Sequence, residues 1–247
     1  MPRIRADLLL LERGLAETRE SARRLIMAGQ VRVGTTVLVK PATLLDAAAQ
    51  VDVIQPPRYV SRGGLKLEAA LDHFNINVTG LRCLDIGAST GGFTDCLLQR
   101  GAASVLAVDV GRAQLHAKLR ADPRVELREG INARDLPELG PIDFFVADVS
   151  FISLRRILPS VQIRTHPGTI GAVLLKPQFE AGPAEVPRGG VIRDPKVRER
   201  VLADFENWLH EHRWTLHGVI PSPIQGGDGN VEYLLHLATP TGSSGEC

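Results

Sequence analysis

Cysteine is scarce: the 247 residues hold three, Cys83, Cys96 and Cys247, and no Cys-x-x-Cys pair. That spacing excludes a disulfide framework and a cysteine-built zinc site, so no metal is expected, and it suits a reducing cytoplasm. Long apolar runs are absent too. None approaches the roughly 18 residues of a membrane helix, and Leu8-Leu9-Leu10-Leu11 is far too short for a signal-peptide core. A soluble protein with no membrane partner is expected. The glycine-rich stretch Leu84-Asp85-Ile86-Gly87-Ala88-Ser89-Thr90-Gly91-Gly92-Phe93 also lacks both familiar phosphate signatures. A dinucleotide fingerprint would need glycine where Ser89 stands, and a P-loop would end in Gly-Lys-Ser/Thr.

What is present starts with that stretch. An apolar strand, Arg82–Ile86, runs into a loop of small residues, and Phe93–Arg100 reads as a helix. Such a loop admits a ligand close to the backbone, and the first amides of the helix offer donors. Asp109 follows Asp85 by 24 residues, at the end of the strand Val105–Asp109, where doubly wound folds place an acid for ribose hydroxyls. With no pyrophosphate to cradle, the loop resembles the S-adenosylmethionine site of Rossmann-like methyltransferases. That resemblance implies cofactor contacts from Asp85, Gly87, Ser89, Gly91, Gly92, Phe93, Asp109 and Asn132.

Apolar residues make up 44% of the chain, enough for a substantial core, and the net charge of +1 hides an asymmetry. Residues 1–62 hold ten Lys and Arg against six Asp and Glu, so the N-terminal part is where a polyanion would dock. Arg3–Arg13 reads as a helix stopped at Gly14, and Thr18 can cap a second over Arg19–Ala28. Short strands are expected at Gln30–Val33, Val37–Lys40 and Gln50–Ile54. The pattern from Leu10 to Gly34 resembles the S4 RNA-binding domain, a small α+β fold. The resemblance implies that Arg5, Arg19, Arg23, Arg24 and Arg32 meet RNA phosphates, which position a protein without reading sequence. Pro56-Pro57 marks a boundary, giving an RNA-binding domain over 1–55, a linker over 56–62, a catalytic domain over 63–238 and a disordered tail over 239–247.

From Leu81 strands and helices alternate, the signature of an α/β fold with a mostly parallel sheet. Helices are expected at Leu65–Phe74, Ala113–Ala121, Leu154–Ile163 and Pro195–His212, and a loop too long for a mere connector at 177–194. Ligands on such sheets bind beyond the carboxyl ends of the strands. Asp148 and Lys176 fall there. Glu232 opens the last strand, which reaches the same edge if it runs antiparallel, and Lys66 lies on the helix before the first strand. Lys176 is delivered by the buried run Ala172–Leu175 into a proline. A desolvated ammonium there calls for a carboxylate, for which Asp148 is the candidate.

Lys66, Asp148, Lys176 and Glu232 match the Lys-Asp-Lys-Glu tetrad of FtsJ-like ribose 2′-O-methyltransferases. The stretches S-R-G-G-L-K-L, A-D-V-S-F-I-S-L, L-L-K-P-Q-F-E and G-N-V-E-Y-L-L further resemble the TlyA (hemolysin A) family, over nearly the whole chain. Gly64-Leu65 departs from the Ala-His common in that family. The resemblance implies a Rossmann-like domain with a seven-stranded, mostly parallel sheet and an antiparallel last strand, preceded by an S4 domain. It also implies S-adenosylmethionine-dependent methylation of ribosomal RNA, free or in ribosomal subunits, on cytidines of 16S and/or 23S. A ribose hydroxyl is a poor nucleophile, so Lys176 would act either as a neutral base or as a cation beside the oxygen, held by Asp148 and Lys66, with Glu232 positioning the ribose or Lys66. Phe179, in the long loop, would cover the RNA or stack on a base.

Two other methylation chemistries lose ground. Exocyclic-amine enzymes carry Asn/Asp-Pro-Pro-Tyr/Phe where this chain has Asp148-Val149-Ser150-Phe151, and ring-carbon methylation needs a cysteine nucleophile near the site, whereas Cys83 and Cys96 lie on the first strand and its helix. Different classes remain open. One is the membrane-acting protein that the older family name suggests, against which no long cationic amphipathic segment is seen. Another is an RNA-binding protein that keeps the fold without the activity.

Overall fold

A computed structural model describes residues 3–54, 57–182, 185–226 and 229–241. The chain forms two compact units, residues 1–58 and 59–247.

In the first unit, β1 (Arg3–Arg5) precedes α1 (Ala6–Glu12) and α2 (Arg19–Met27). The N-terminal arginines are therefore strand, where helix was expected, because they pair antiparallel with β4 (Leu44–Asp46), which the sequence reading missed. Thr18 caps α2 by accepting from the Ser21 amide at 3.1 Å. The strands β2 (Val31–Val33), β3 (Thr36–Leu38) and β5 (Val51–Val53) form a three-stranded antiparallel sheet. Ala6, Leu9, Leu10, Ala22, Ile26, Val31, Leu38 and Val51 make its core.

In the second unit, α3 (Gly63–His73) leads to β6 (Arg82–Ile86), α4 (Gly92–Gln99), β7 (Ser104–Asp109), α5 (Ala117–Arg120), β8 (Val125–Glu129) and β9 (Phe144–Ala147). A single 3₁₀ turn, Leu154–Arg156, then precedes α6 (Leu158–Arg164) and β10 (Ile170–Leu175). After these come α7 (Pro177–Glu180), α8 (Pro195–Glu211), β11 (Thr215–Pro221) and β12 (Tyr233–Ala238). The seven strands run in the order β11-β12-β10-β9-β6-β7-β8. The pairs from β10 to β8 are parallel, and β12 lies antiparallel between β10 and β11. Alternate residues face opposite sides, as the pleat requires. Phe144 and Val146 join α3 and α4 in one apolar layer, while Phe145 and Ala147 join α6 and α8 in the other. A sheet covered on both faces is what parallel strands demand.

Three differences from the sequence reading have local causes. The helix expected from Ala113 shrinks to Ala117–Arg120. The carboxylates of Asp109 and Glu129 capture the amides of Gly111 (2.6 Å) and Ala113 (2.7 Å), and Ala113 adopts a φ of +57°. The helix expected over Leu154–Ile163 breaks at Ile157, just before Pro159 in the first turn of α6. Pro177–Glu180 in the long loop is helical.

The expected domain limits shift as well. Tyr59, placed in the linker by sequence, is only 2% exposed in the core of the second unit. A Cβ on Gly64 would lie 2.3 Å from the Tyr59 ring, so the glycine that departs from the family pattern makes room for it. Thr239, expected to open a disordered tail, is buried, and its hydroxyl donates to the His166 carbonyl at 2.9 Å. Its amide donates to the Thr169 carbonyl at 3.0 Å, which carries the pairing of β12 with β10 one residue past Ala238. Residues 242–247 of the expected tail and Pro56 of the linker lie outside the described residues.

Candidate active site

The loop after β6 is built from backbone conformations that side chains resist. Gly87 has a φ of +81°, and a Cβ there would stand 2.6 Å from the Asp148 carbonyl. Gly91 has a φ of +96°, and a Cβ there would strike Leu119 at 2.2 Å. Ser89 is left-handed without being glycine, at φ +47°, and its amide donates to Asp109 at 2.7 Å. Asp109 thus accepts one backbone amide on each carboxylate oxygen, from Ser89 and from Gly111, which fixes its plane. A carboxylate so held keeps lone pairs for a further donor such as a hydroxyl.

Two cavities meet at this loop. The larger, about 630 Å³, is lined by Ser89, Asp109, Ile131, Asn132, Ala133 and Phe151 among others. The smaller, about 200 Å³, is lined by Ser61, Lys66, Phe93, Asp148, Ser150 and Lys176 among others. Gly87, Ser89, Asp148 and Ser150 belong to both walls.

The smaller cavity carries two ion pairs. Lys176 Nζ stands 2.7 Å from Asp148 and donates to the Ser150 hydroxyl at 2.9 Å. One donor of the ammonium is thereby directed at Ser150 and its charge is paired with Asp148, both on the loop after β9, which aims the group. Lys66 Nζ meets Glu232 at 2.5 Å, with side-chain exposures of 11% and 3%. The antiparallel register that pairs Leu175 with Tyr233 brings Glu232 to the Lys176 edge. Glu232 stands behind Lys66, off the cavity wall. This arrangement can hold a hydroxyl near the Lys176 nitrogen, which takes its proton as a neutral amine or, as an ammonium, stabilises the charge that develops on the oxygen.

The FtsJ-like methyltransferase family profile matches residues 59–239 and the S4 domain profile residues 4–51. The chain belongs to the FtsJ-like methyltransferase family. It is 50% identical over 242 residues to a Bacillus subtilis protein named as an rRNA methyltransferase, YqxC, covering 96% of this chain and 86% of that one. It is 47% identical over 244 residues to the 16S/23S rRNA (cytidine-2′-O)-methyltransferase TlyA of Mycobacterium tuberculosis, covering 97% and 91%. A solved structure of a hemolysin-named protein from Streptococcus thermophilus, 44% identical, superposes with a TM-score of 0.72 and covers 97% of this chain and 90% of that one.

In this FtsJ-like unit the residues expected at the cofactor separate into those that line the larger cavity and those that do not. Gly87, Ser89, Asp109 and Asn132 line it. Asn132 also accepts from the Arg134 amide at 3.1 Å, so it caps its turn and faces the cavity at once. Gly92 and Phe93 line the smaller cavity instead. Gly91 faces Leu115 and Leu119, so its place in the loop is set by packing. Asp85 lines neither cavity; it is fully buried beneath the loop and accepts from the Thr94 hydroxyl at 2.6 Å.

Burial, reinforced by Asp148 and Asp109, pushes the Asp85 carboxyl up to about 7. An unfolded Asp ionises near pH 4, about three units lower. The folded state therefore holds a proton that the unfolded state releases, and Asp85 costs stability progressively as pH rises from about 4 to about 7. Asp85→Asn is expected to raise the denaturant midpoint at pH 8 and leave it nearly unchanged at pH 4. Equal effects at both pH values would mean that Asp85 is ionised throughout.

The arginines of the S4 unit also divide. Arg5 and Arg19 converge at 2.9 and 3.1 Å on Asp7, which is fully buried, and the Arg5 guanidinium above all holds its carboxyl down at about 2. Arg5 and Arg19 are thus oriented by the fold. Arg23, Arg24 and Arg32 are exposed and make no ion pair with another described residue. The sequence reading missed Ser150 and Ser61; the only signal for Ser150 was a hydroxyl two residues past a strand-end Asp.

Proposed function

We propose that the protein transfers a methyl group from S-adenosylmethionine to a ribose 2′-hydroxyl of ribosomal RNA, on cytidines of 16S and/or 23S, in the cytoplasm. The observation that carries this reading is the smaller cavity. Its two lysines are each paired with a buried or half-buried carboxylate, and its wall is shared with a larger cavity at Gly87, Ser89, Asp148 and Ser150. The names of the Mycobacterium tuberculosis and Bacillus subtilis relatives support it.

The larger cavity suits the cofactor in volume and in donor set: a fixed carboxylate, Asp109, for ribose hydroxyls and the 131–133 segment for a base. The cofactor supplies an electrophilic methyl group on a sulfonium. Gly87, Ser89, Asp109 and Asn132 hold it, while Asp85 and Gly91 shape the loop from below. Lys176 takes the hydroxyl proton as a neutral amine or, as an ammonium, stabilises the charge that develops on the acceptor oxygen; Asp148 and Ser150 aim it, and Glu232 holds Lys66 in place. Arg23, Arg24 and Arg32, with Arg5 and Arg19 beside them, bring the RNA by its phosphates. No helix among the described residues is long and apolar enough to cross a membrane.

The test uses labelled methyl cofactor with 16S and 23S RNA from a strain lacking the activity, free and in subunits. Label is expected in RNA, on cytidine nucleosides heavier by one methyl in the ribose fragment. Label on the base fragment, or none in any RNA, contradicts the proposal.

A further inference from the structure

We propose that Glu180 is a positioning residue for methyl transfer: through Ser153 and Leu154 it holds the segment carrying Asp148 and Ser150 against Lys176. The inference rests on the function proposed above. Strands β9 and β10 pair only as far as Ala147 opposite Val173, and beyond that point Leu174 and Leu175 pair with β12 alone. Asp148 and Lys176 thus both lie past the shared ladder. The Asp148 amide is tied to Ile86 on the β6 side. Among the described residues no main-chain hydrogen bond past the ladder ties 148–154 to 176–180.

The link is made by side chains instead. Glu180, on the turn of helix after Lys176, accepts from the Ser153 hydroxyl and from the Leu154 amide, each at 2.6 Å, and Arg155 Nε stands 3.7 Å away. Its side chain is 1% exposed. Burial raises its carboxyl, and the two hydrogen bonds and Arg155 work against that. Between the anchor and the reactive pair lies Phe151, left-handed at φ +64°, 92% exposed, with its ring 5.4 Å from Phe179. A bulky residue in that conformation is held there by its surroundings at some cost. The anchor is two residues downstream of it.

A carboxylate accepts from both donors at once. In Glu180→Leu, close in size, the Leu154 amide and the Ser153 hydroxyl both lose their acceptor, which opens the anchor. Glu180→Gln keeps both contacts, its carbonyl accepting from the Leu154 amide and its NH₂ donating to the Ser153 hydroxyl. Ser153→Ala removes one of the two donors. The full chain is compared as wild type, Glu180→Leu, Glu180→Gln, Ser153→Ala and the double variant Glu180→Leu, Ser153→Ala. Each is measured for single-turnover methyl transfer at saturating cofactor and RNA, for cofactor and RNA affinity, and for amide exchange of the 149–154 segment. Glu180→Leu is expected to slow the single-turnover step about tenfold or more, since misplacing reacting groups by a fraction of an ångström has effects of that order, and Glu180→Gln to slow it less. Both affinities should stay within about twofold and exchange of the segment should quicken in Glu180→Leu, with the double variant no slower than Glu180→Leu. An unchanged step, a loss restored by saturation, or a double variant that adds the two single losses would overturn the proposal while leaving the function intact. A wild type that places no methyl on ribose overturns the underlying function, and this inference with it.

Discussion

Lys176→Ala is expected to slow methyl transfer by about a thousandfold or more, the scale seen when a proton acceptor or the principal charge-stabilising group is removed. The affinity for S-adenosylmethionine should change by less than about twofold, because Lys176 lines the smaller cavity and not the larger. Single-turnover transfer and calorimetric titration separate the two. Truncation also frees Asp148, but that carboxylate is 22% exposed, so water can answer it and the fold should survive. Lys176→Arg sorts the remaining roles. A guanidinium stays charged and has a planar fork that does not match the paired geometry with Asp148 and Ser150, so little activity should return. A fully active Lys176→Arg would limit Lys176 to a simple positive charge. Loss of cofactor binding in Lys176→Ala would mean that the lysine belongs to the donor site.

The second large effect is on stability. Lys66 and Glu232 are 11% and 3% exposed, so removing one leaves a charge buried with no counterion. Lys66→Met is expected to cost about 3 kcal/mol or more in chemical denaturation. In the double variant Lys66→Met, Glu232→Leu most of that cost should disappear, because a buried pair replaced by apolar groups of similar size is often neutral. Activity should be lost in the single and double variants alike. That divergence separates a catalytic pair from a structural one: an active double variant would show that the pair only holds α3 to β12.

The site was legible where one residue's chemistry announced its surroundings. Lys176 at the end of a buried strand demanded a carboxylate, and Asp148 stands 2.7 Å away. The antiparallel last strand was needed to bring Glu232 to the edge, and the register, with Tyr233 opposite Leu175, delivers it one residue further, beside Lys176. What sequence missed depended on side chains recruiting backbone. Periodicity across Ala113–Ala121 favoured helix, but Asp109 and Glu129 take the amides that its first turn would use. Arg3–Arg5 has a helical pattern yet pairs with Leu44–Asp46, a contact about 40 residues away that no local window contains. Asp85 has the identity of a ligand contact and the position of a buried support. The division of the arginines likewise turned on Asp7, whose full burial is a tertiary fact.

The most direct measurement of the central claim is alkaline hydrolysis of ribosomal RNA labelled by the enzyme. Base cleaves RNA through the free 2′-hydroxyl, so a methylated ribose leaves its own phosphodiester intact. The account predicts that the label is recovered in alkali-stable dinucleotides carrying cytidine on the 5′ side, and that Lys176→Ala yields none. Label released in mononucleotides would place the methyl on a base and contradict the account.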